Sequence, residues 1–161
     1  MHYIWPLYIM SNVSLNVFRQ PLKLFSTQPI TGFHRDGYCR TSALDRGNHA
    51  VAGVVSDDFL DYTARQGNDL RPVGLSDGCK WCLCTGRWLQ ALRAFESGSI
   101  PRSAVPKVDL EATDESALRS VDLETLRAFA VDAQQQQQQQ GGQAGGRQTN
   151  GVNGVNGVNG H

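Results

Sequence analysis

The sequence predicts an α+β domain built from short layered elements, and three observations point there. Two short runs, Asn48–Val55 and Lys80–Thr85, carry the apolar pattern of buried or half-buried strands. Each leads into a stretch with helical spacing: Phe59, Leu60 and Tyr62 after the first, and Trp88, Leu92 and Phe95 after the second. The remaining order, one more short strand and two short helices, does not spell a regular βαβ array and suits mixed layers better.

Taken in order, Asn16–Pro29 holds Pro21, Pro29 and a Ser26-Thr27 pair and reads as irregular chain. Thr31–Thr41 places Asp36-Gly37 as a turn between short extended pieces. Val51, Val54 and Val55 suit a buried strand, eased at Gly53. Ser56 is a good N-cap, Asp57 and Asp58 favour the positive end of the helix dipole, and Gly67 is a natural stop. In Lys80–Thr85, alternation puts Trp81 and Leu83 on one face and Cys82 and Cys84 on the other. Gly86 leads into a helix over Arg87–Ser97, ended by Gly98. Lys107–Ala112 reads as a strand with Val108 and Leu110 facing one way. Thr113 or Asp114 caps a short helix through Leu118, and Asp122 caps another bearing Leu123, Leu126 and Ala130.

The ends are unlike this middle. From Gln134 come seven consecutive Gln, a Gly-rich patch and three Gly-Val-Asn repeats, with no Leu, Ile, Phe, Tyr or Trp. Such a stretch buries too little apolar surface to offset chain entropy, so residues 133–161 are expected to be disordered; a Gln/Asn-rich self-association segment is the alternative. Residues 1–14 read as an irregular leading segment: Met1–Met10 is apolar but broken by Pro6, without a basic start or a clear cleavage site. A cytoplasmic chain is therefore expected, in which the sequon Asn12-Val13-Ser14 has no role. The domain is placed at residues 15–132.

Charge narrows the function classes. Fifteen basic and fifteen acidic residues cancel, which argues against bulk electrostatic binding of nucleic acid or anionic lipid. No apolar run approaches the ~20 residues of a membrane-spanning helix. Yet residues 1–107 carry 12 basic and 8 acidic side chains, while residues 108–132 carry 2 and 7. Arg outnumbers Lys twelve to three, and guanidinium suits bidentate carboxylate or phosphate partners. Both an internal ion-pair network and a small anion site are compatible with that balance.

Several motifs then fall in sequence order: Thr31-Gly32-Phe33-x-Arg35-Asp36-Gly37-x-Cys39-Arg40-Thr41, Asp45-Arg46-Gly47-x-His49, Phe59-Leu60, Gly67-Asn68-Asp69-Leu70, Trp81-Cys82-Leu83-Cys84 with Arg87-Trp88, and Leu110-Glu111-Ala112-Thr113. Together they resemble the DUF2237 family over about Asn16–Asp132. The resemblance implies a compact two-layer α+β sandwich and no established activity. Departures are a short Arg71–Lys80 loop, Phe25 where Cys is common, Cys79 where Asp or another polar residue is more usual, and Asp114 where His is frequent.

The candidate chemistry sits in loops around the short strands, where a rigid scaffold tends to present it. Arg35, Asp36, Arg40, Asp45, Arg46, Asn68 and Asp69 form a polar set that would clamp a small anionic ligand or tie the loops together. Cys39 lies near Arg35 and Arg40 in sequence; with His34 or His49 as base it is the expected nucleophile, and the catalytic pair is read as Cys39 and His49. Cys79-x-x-Cys82-x-Cys84 invites a zinc reading, with Cys82 and Cys84 the weak metal candidates. No second C-x-x-C follows, so free buried thiols are expected instead. The redox spacing of Cys79 and Cys82 precedes a strand and lacks the helix N-terminus that stabilises a thiolate. No cofactor is expected, and no P-loop, Rossmann or Ser-His-Asp pattern is present. The expectation is a small anion-binding domain, with a hydrolase or transferase using Cys39 or His49, or a protein-interaction module, as alternatives.

Overall fold

The computed structural model describes residues 13–133; the leading Met1–Met10 segment and the Gln-rich tail lie outside the described residues. Within that span the chain is α+β, as expected. Three strands, β1 (Val51–Val54), β2 (Lys80–Leu83) and β3 (Lys107–Val108), form a sheet in the order β2-β1-β3 with both pairs antiparallel. Helices α1 (Asp57–Arg65), α2 (Thr85–Glu96) and α3 (Leu123–Ala128) alternate with them and follow them. No helix among the described residues is long and apolar enough to cross a membrane.

Strand alternation sorts side chains between two cores. Val51 and Leu83 join Phe59, Leu60, Trp88, Leu92, Leu126 and Phe129 in the larger core, between sheet and helices. Ala52 and Cys82 point the other way and join Phe25, Cys39 and Ala112 in a smaller core under the irregular chain. Complete burial of Trp88, Phe59 and Leu60 stabilises the helical layer by about 1.5–3 kcal/mol each. The Trp88 indole N–H keeps a partner there, donating to the Pro106 carbonyl at 3.0 Å. Gly53 leaves room for the Leu83 side chain of the neighbouring strand, since a Cβ on it would stand 2.5 Å from Leu83 Cδ1.

Local signals place most helix ends. The Ser56 hydroxyl accepts from the Phe59 N–H at 3.1 Å, and Asp122 does the same for Thr125 at 2.8 Å. Asp114, rather than Thr113, caps the next turn, a 3-10 helix over Glu115–Arg119.

Three expectations need correction. The strand read over Lys107–Ala112 stops at Val108. Asp109 turns the chain out of the ladder, its carboxylate accepting from the N–H groups of Glu111 and Ala112, and the Thr113 hydroxyl accepts the Ala52 N–H in place of a strand carbonyl. Thr31–Thr41 forms turns without flanking strands; among the described residues its one ladder contact is the bridge of Cys39 to Thr113. Helix α2 begins at Thr85, two residues before the expected Arg87.

Candidate active site

Cys84 occupies the junction left by that earlier start. Strand β2 ends at Leu83, and Cys84 becomes the N-cap residue of the twelve-residue helix α2. Its side chain makes no capping bond. Instead the sulfur lies 3.0 Å from His49 Nε2. On the far side of the ring, His49 Nδ1 meets Asp45 Oδ1 at 2.7 Å. A carboxylate accepts only, so Nδ1 carries the proton and Nε2 faces the sulfur. Asp45 is buried, and its second oxygen accepts the backbone N–H of His49 at 2.7 Å. One carboxylate thus fixes both the ring and the backbone that bears it.

Neighbouring residues hold the pair in register. Asn48 adopts a left-handed conformation with φ of 46°, which Asn tolerates better than most residues. Its carbonyl accepts the Thr85 N–H at 3.0 Å, and its amide donates to the Thr85 hydroxyl at 3.0 Å. The Ser116 hydroxyl donates to its side-chain oxygen at 2.9 Å. The His49 loop, the start of α2 and the Glu115–Arg119 turn are therefore pinned at one residue. Gly47 leaves the space: a Cβ there would lie 2.8 Å from His49 Cε1 and 2.9 Å from Cys84 Sγ. Phe33 stacks on the imidazole, with centroids 6.3 Å apart and planes 24° from parallel.

Electrostatics favour charge on the ring. The hydrogen bond to Cys84 does most to raise the His49 pKa, to about 9; Asp45 adds to it and partial burial opposes it. Cys84 lines a cleft of about 500 Å³ together with Arg46, Gly47, Asn48, Gly86 and Arg87 among others. At the start of α2, the Thr85 N–H is taken by Asn48 and those of Arg87 and Trp88 by the Cys84 carbonyl. The Gly86 N–H has no acceptor among the described residues, and a free N–H at a helix N-terminus is suited to developing negative charge.

The expectation of a free, nucleophilic thiol at Cys39 is corrected. Cys39 is bonded to Cys82, and both sulfurs are buried, so neither is a free thiol. That bond also removes Cys82 as a metal ligand, and among the described residues no group of three or more His, Cys, Asp or Glu is arranged to hold a metal ion. Free buried thiols were expected; the free pair is Cys79 and Cys84, both half-buried.

Asp45, Arg46 and His49 of the expected set come together at Cys84. Arg40 instead donates to Asp36 at 2.6 Å. Burial works against the Asp36 carboxylate, but the Arg40 bond and the Tyr38 N–H hold it below the ordinary range. Arg35 lies over Trp81 at 4.9 Å. Asn68 and Asp69 secure the chain leaving α1, through the Thr63 hydroxyl and the Arg71 N–H. Sequence reasoning named Cys84 only as a weak metal candidate, not as the partner of His49, and missed Arg87. Thr85-Gly86, small and polar directly after an apolar run, was the available sign that Cys84 is the N-cap of the helix.

Fold and site together define a small α+β domain that carries a Cys-His-Asp hydrogen-bonded chain at a helix start. Residues 15–130 match the family described as an uncharacterized protein conserved in bacteria, DUF2237, and the chain belongs to that family. No curated protein matches it.

Proposed function

We propose that the domain is a thiol-dependent acyl-transfer enzyme, a hydrolase or transferase, with Cys84 as nucleophile, His49 as acid and base, and Asp45 as its orienting carboxylate. The observation that carries this is the unbroken chain from Cys84 Sγ through both His49 nitrogens to buried Asp45. Its geometry is that of a nucleophile–base–orienter set. His49 Nε2 takes up the Cys84 proton, so that the sulfur attacks as thiolate. The sulfur adds to a carbonyl carbon, forming the C–S bond, while the Gly86 N–H faces the developing oxyanion. The leaving group departs with the proton from His49 Nε2. Neutral His49 then takes a proton from water or an acceptor alcohol or amine, which attacks the thioester and releases Cys84.

This reading replaces Cys39 with Cys84 in the hydrolase or transferase alternative and keeps His49. The cytoplasmic expectation is not carried with it, because the Cys39–Cys82 bond persists more readily in an oxidising compartment.

Cys79 is an internal reference: a free, half-buried thiol whose sulfur meets the N–H and hydroxyl of Ser76. Iodoacetamide labelling of the full chain at pH 7, mapped by mass spectrometry, should modify Cys84 at least roughly tenfold faster than Cys79. His49→Gln should bring the two rates together. A Cys84 rate at or below that of Cys79 in the unsubstituted protein would overturn the proposal.

A further inference from the structure

Two cations border the Cys84 cleft without a carboxylate partner. Arg46 is exposed, and no ion pair or hydrogen bond of its side chain occurs among the described residues. Arg87 uses Nη1 alone, donating to the Gln66 carbonyl at 3.3 Å and to Gln90 Oε1 at 3.1 Å, both neutral acceptors. The contrast with the other arginines matters. Arg19, Arg40, Arg71 and Arg127 are each paired with a carboxylate, and Arg35 and Arg102 lie over aromatic rings. Arg65, Arg93 and Arg119 have no carboxylate partner among the described residues either, but only Arg46 and Arg87 line the cleft. Asp45 contributes no opposing carboxylate to the cleft, since one oxygen is bonded to the His49 ring and the other to its N–H.

We infer that the acyl donor taken by this site is anionic, carrying a carboxylate or phosphate group that Arg46 and Arg87 receive while its carbonyl meets Cys84. The inference rests on the nucleophile reading and narrows its substrate class. Guanidinium groups with unused N–H donors suit a two-oxygen anion. Gly86 also lines the cleft and keeps it open on that side: nothing stands within 4 Å of where a Gly86 Cβ would be. The cleft, at about 500 Å³, falls within the size range of small-molecule sites.

The test compares an anionic with a neutral reagent on the full chain: iodoacetate and iodoacetamide, each read at Cys84 and at Cys79. A thiolate repels iodoacetate, so an ordinary thiol prefers the amide, and Cys79 sets that baseline. The iodoacetate-to-iodoacetamide rate ratio at Cys84 should exceed the Cys79 ratio roughly tenfold. Arg46→Ala or Arg87→Ala should lower it about three- to tenfold, and intrinsic thiolate reactivity cancels in the ratio. Added salt should act in the same direction. Protection of Cys84 by succinate would assign a carboxylate, and protection by inorganic phosphate would assign a phosphate. If Cys84 outpaces Cys79 with iodoacetamide but its ratio equals that of Cys79 and ignores both substitutions, the anion inference fails and the nucleophile stands. If Cys84 is no faster than Cys79 with either reagent, both fail.

Discussion

Gly47 shows how much of the site depends on one missing side chain. The residue needs no left-handed backbone; what it supplies is space between the imidazole and the sulfur. In Gly47→Ala the added methyl, under 3 Å from both partners, has to push the ring or the thiol aside. Iodoacetamide labelling of Cys84 should slow by about ten- to a hundredfold, because small misplacements of reacting groups carry that scale of cost. Far-ultraviolet circular dichroism should be unchanged.

His49 gives a second expectation at the same scale. Its pKa rises from 6.5 to about 9 on folding, so folding favours the protonated ring. The resulting stabilisation is fully present below about pH 6.5 and is lost as pH rises through about 9. Because about a third of the side chain is exposed, screening leaves roughly 1–2 kcal/mol. Urea unfolding of the protein and of His49→Gln, at pH 6 and pH 9.5, should show the difference between them shrinking by that amount at the higher pH.

At the scale of elements, legibility in the sequence followed the range of the interactions. Ser56 and Asp122 are caps bonded to residues three positions away, and both were readable. The Asp45–His49 unit was readable as a motif for the same reason, since its bonds close within five residues. The end of β2 was not. Alternation in Lys80–Thr85 continues through Cys84, whereas the bonds that hold Thr85 at the start of α2 come from Asn48, 37 residues away in sequence. Reading two more residues as strand concealed the helix N-terminus at the one thiol that has it. The Lys107–Ala112 strand failed similarly, because the Thr113 hydroxyl supplies the bond that a strand was expected to make.

Over the whole molecule, the sheet separates two kinds of sulfur. On the face away from the helices, the Cys39–Cys82 bond joins residues 43 apart in sequence, beside Phe25 and Ala112. No local pattern encodes such a pairing, so the sequence suggested free thiols. Closing a loop of that length stabilises by about 2–4 kcal/mol in chain-entropy terms. The double substitution Cys39→Ala with Cys82→Ala should therefore lower unfolding free energy by about that much in urea titration. Iodoacetamide reactivity at Cys84 should remain, since the bonds that orient it come from Asp45, Asn48 and His49.

The clamp at Asn48 has a consequence for how the protein can be observed. The groups around Cys84 come from residues 45–49, 84–87 and 116, which no short stretch of chain contains. In the unfolded polypeptide Cys84 is chemically one cysteine among several, and its distinctive behaviour exists only when those three segments meet. The rate at which it is labelled is then a gauge of assembly at this junction. It should report partial opening of the Glu115–Arg119 turn or the start of α2 before a global probe such as circular dichroism registers any change.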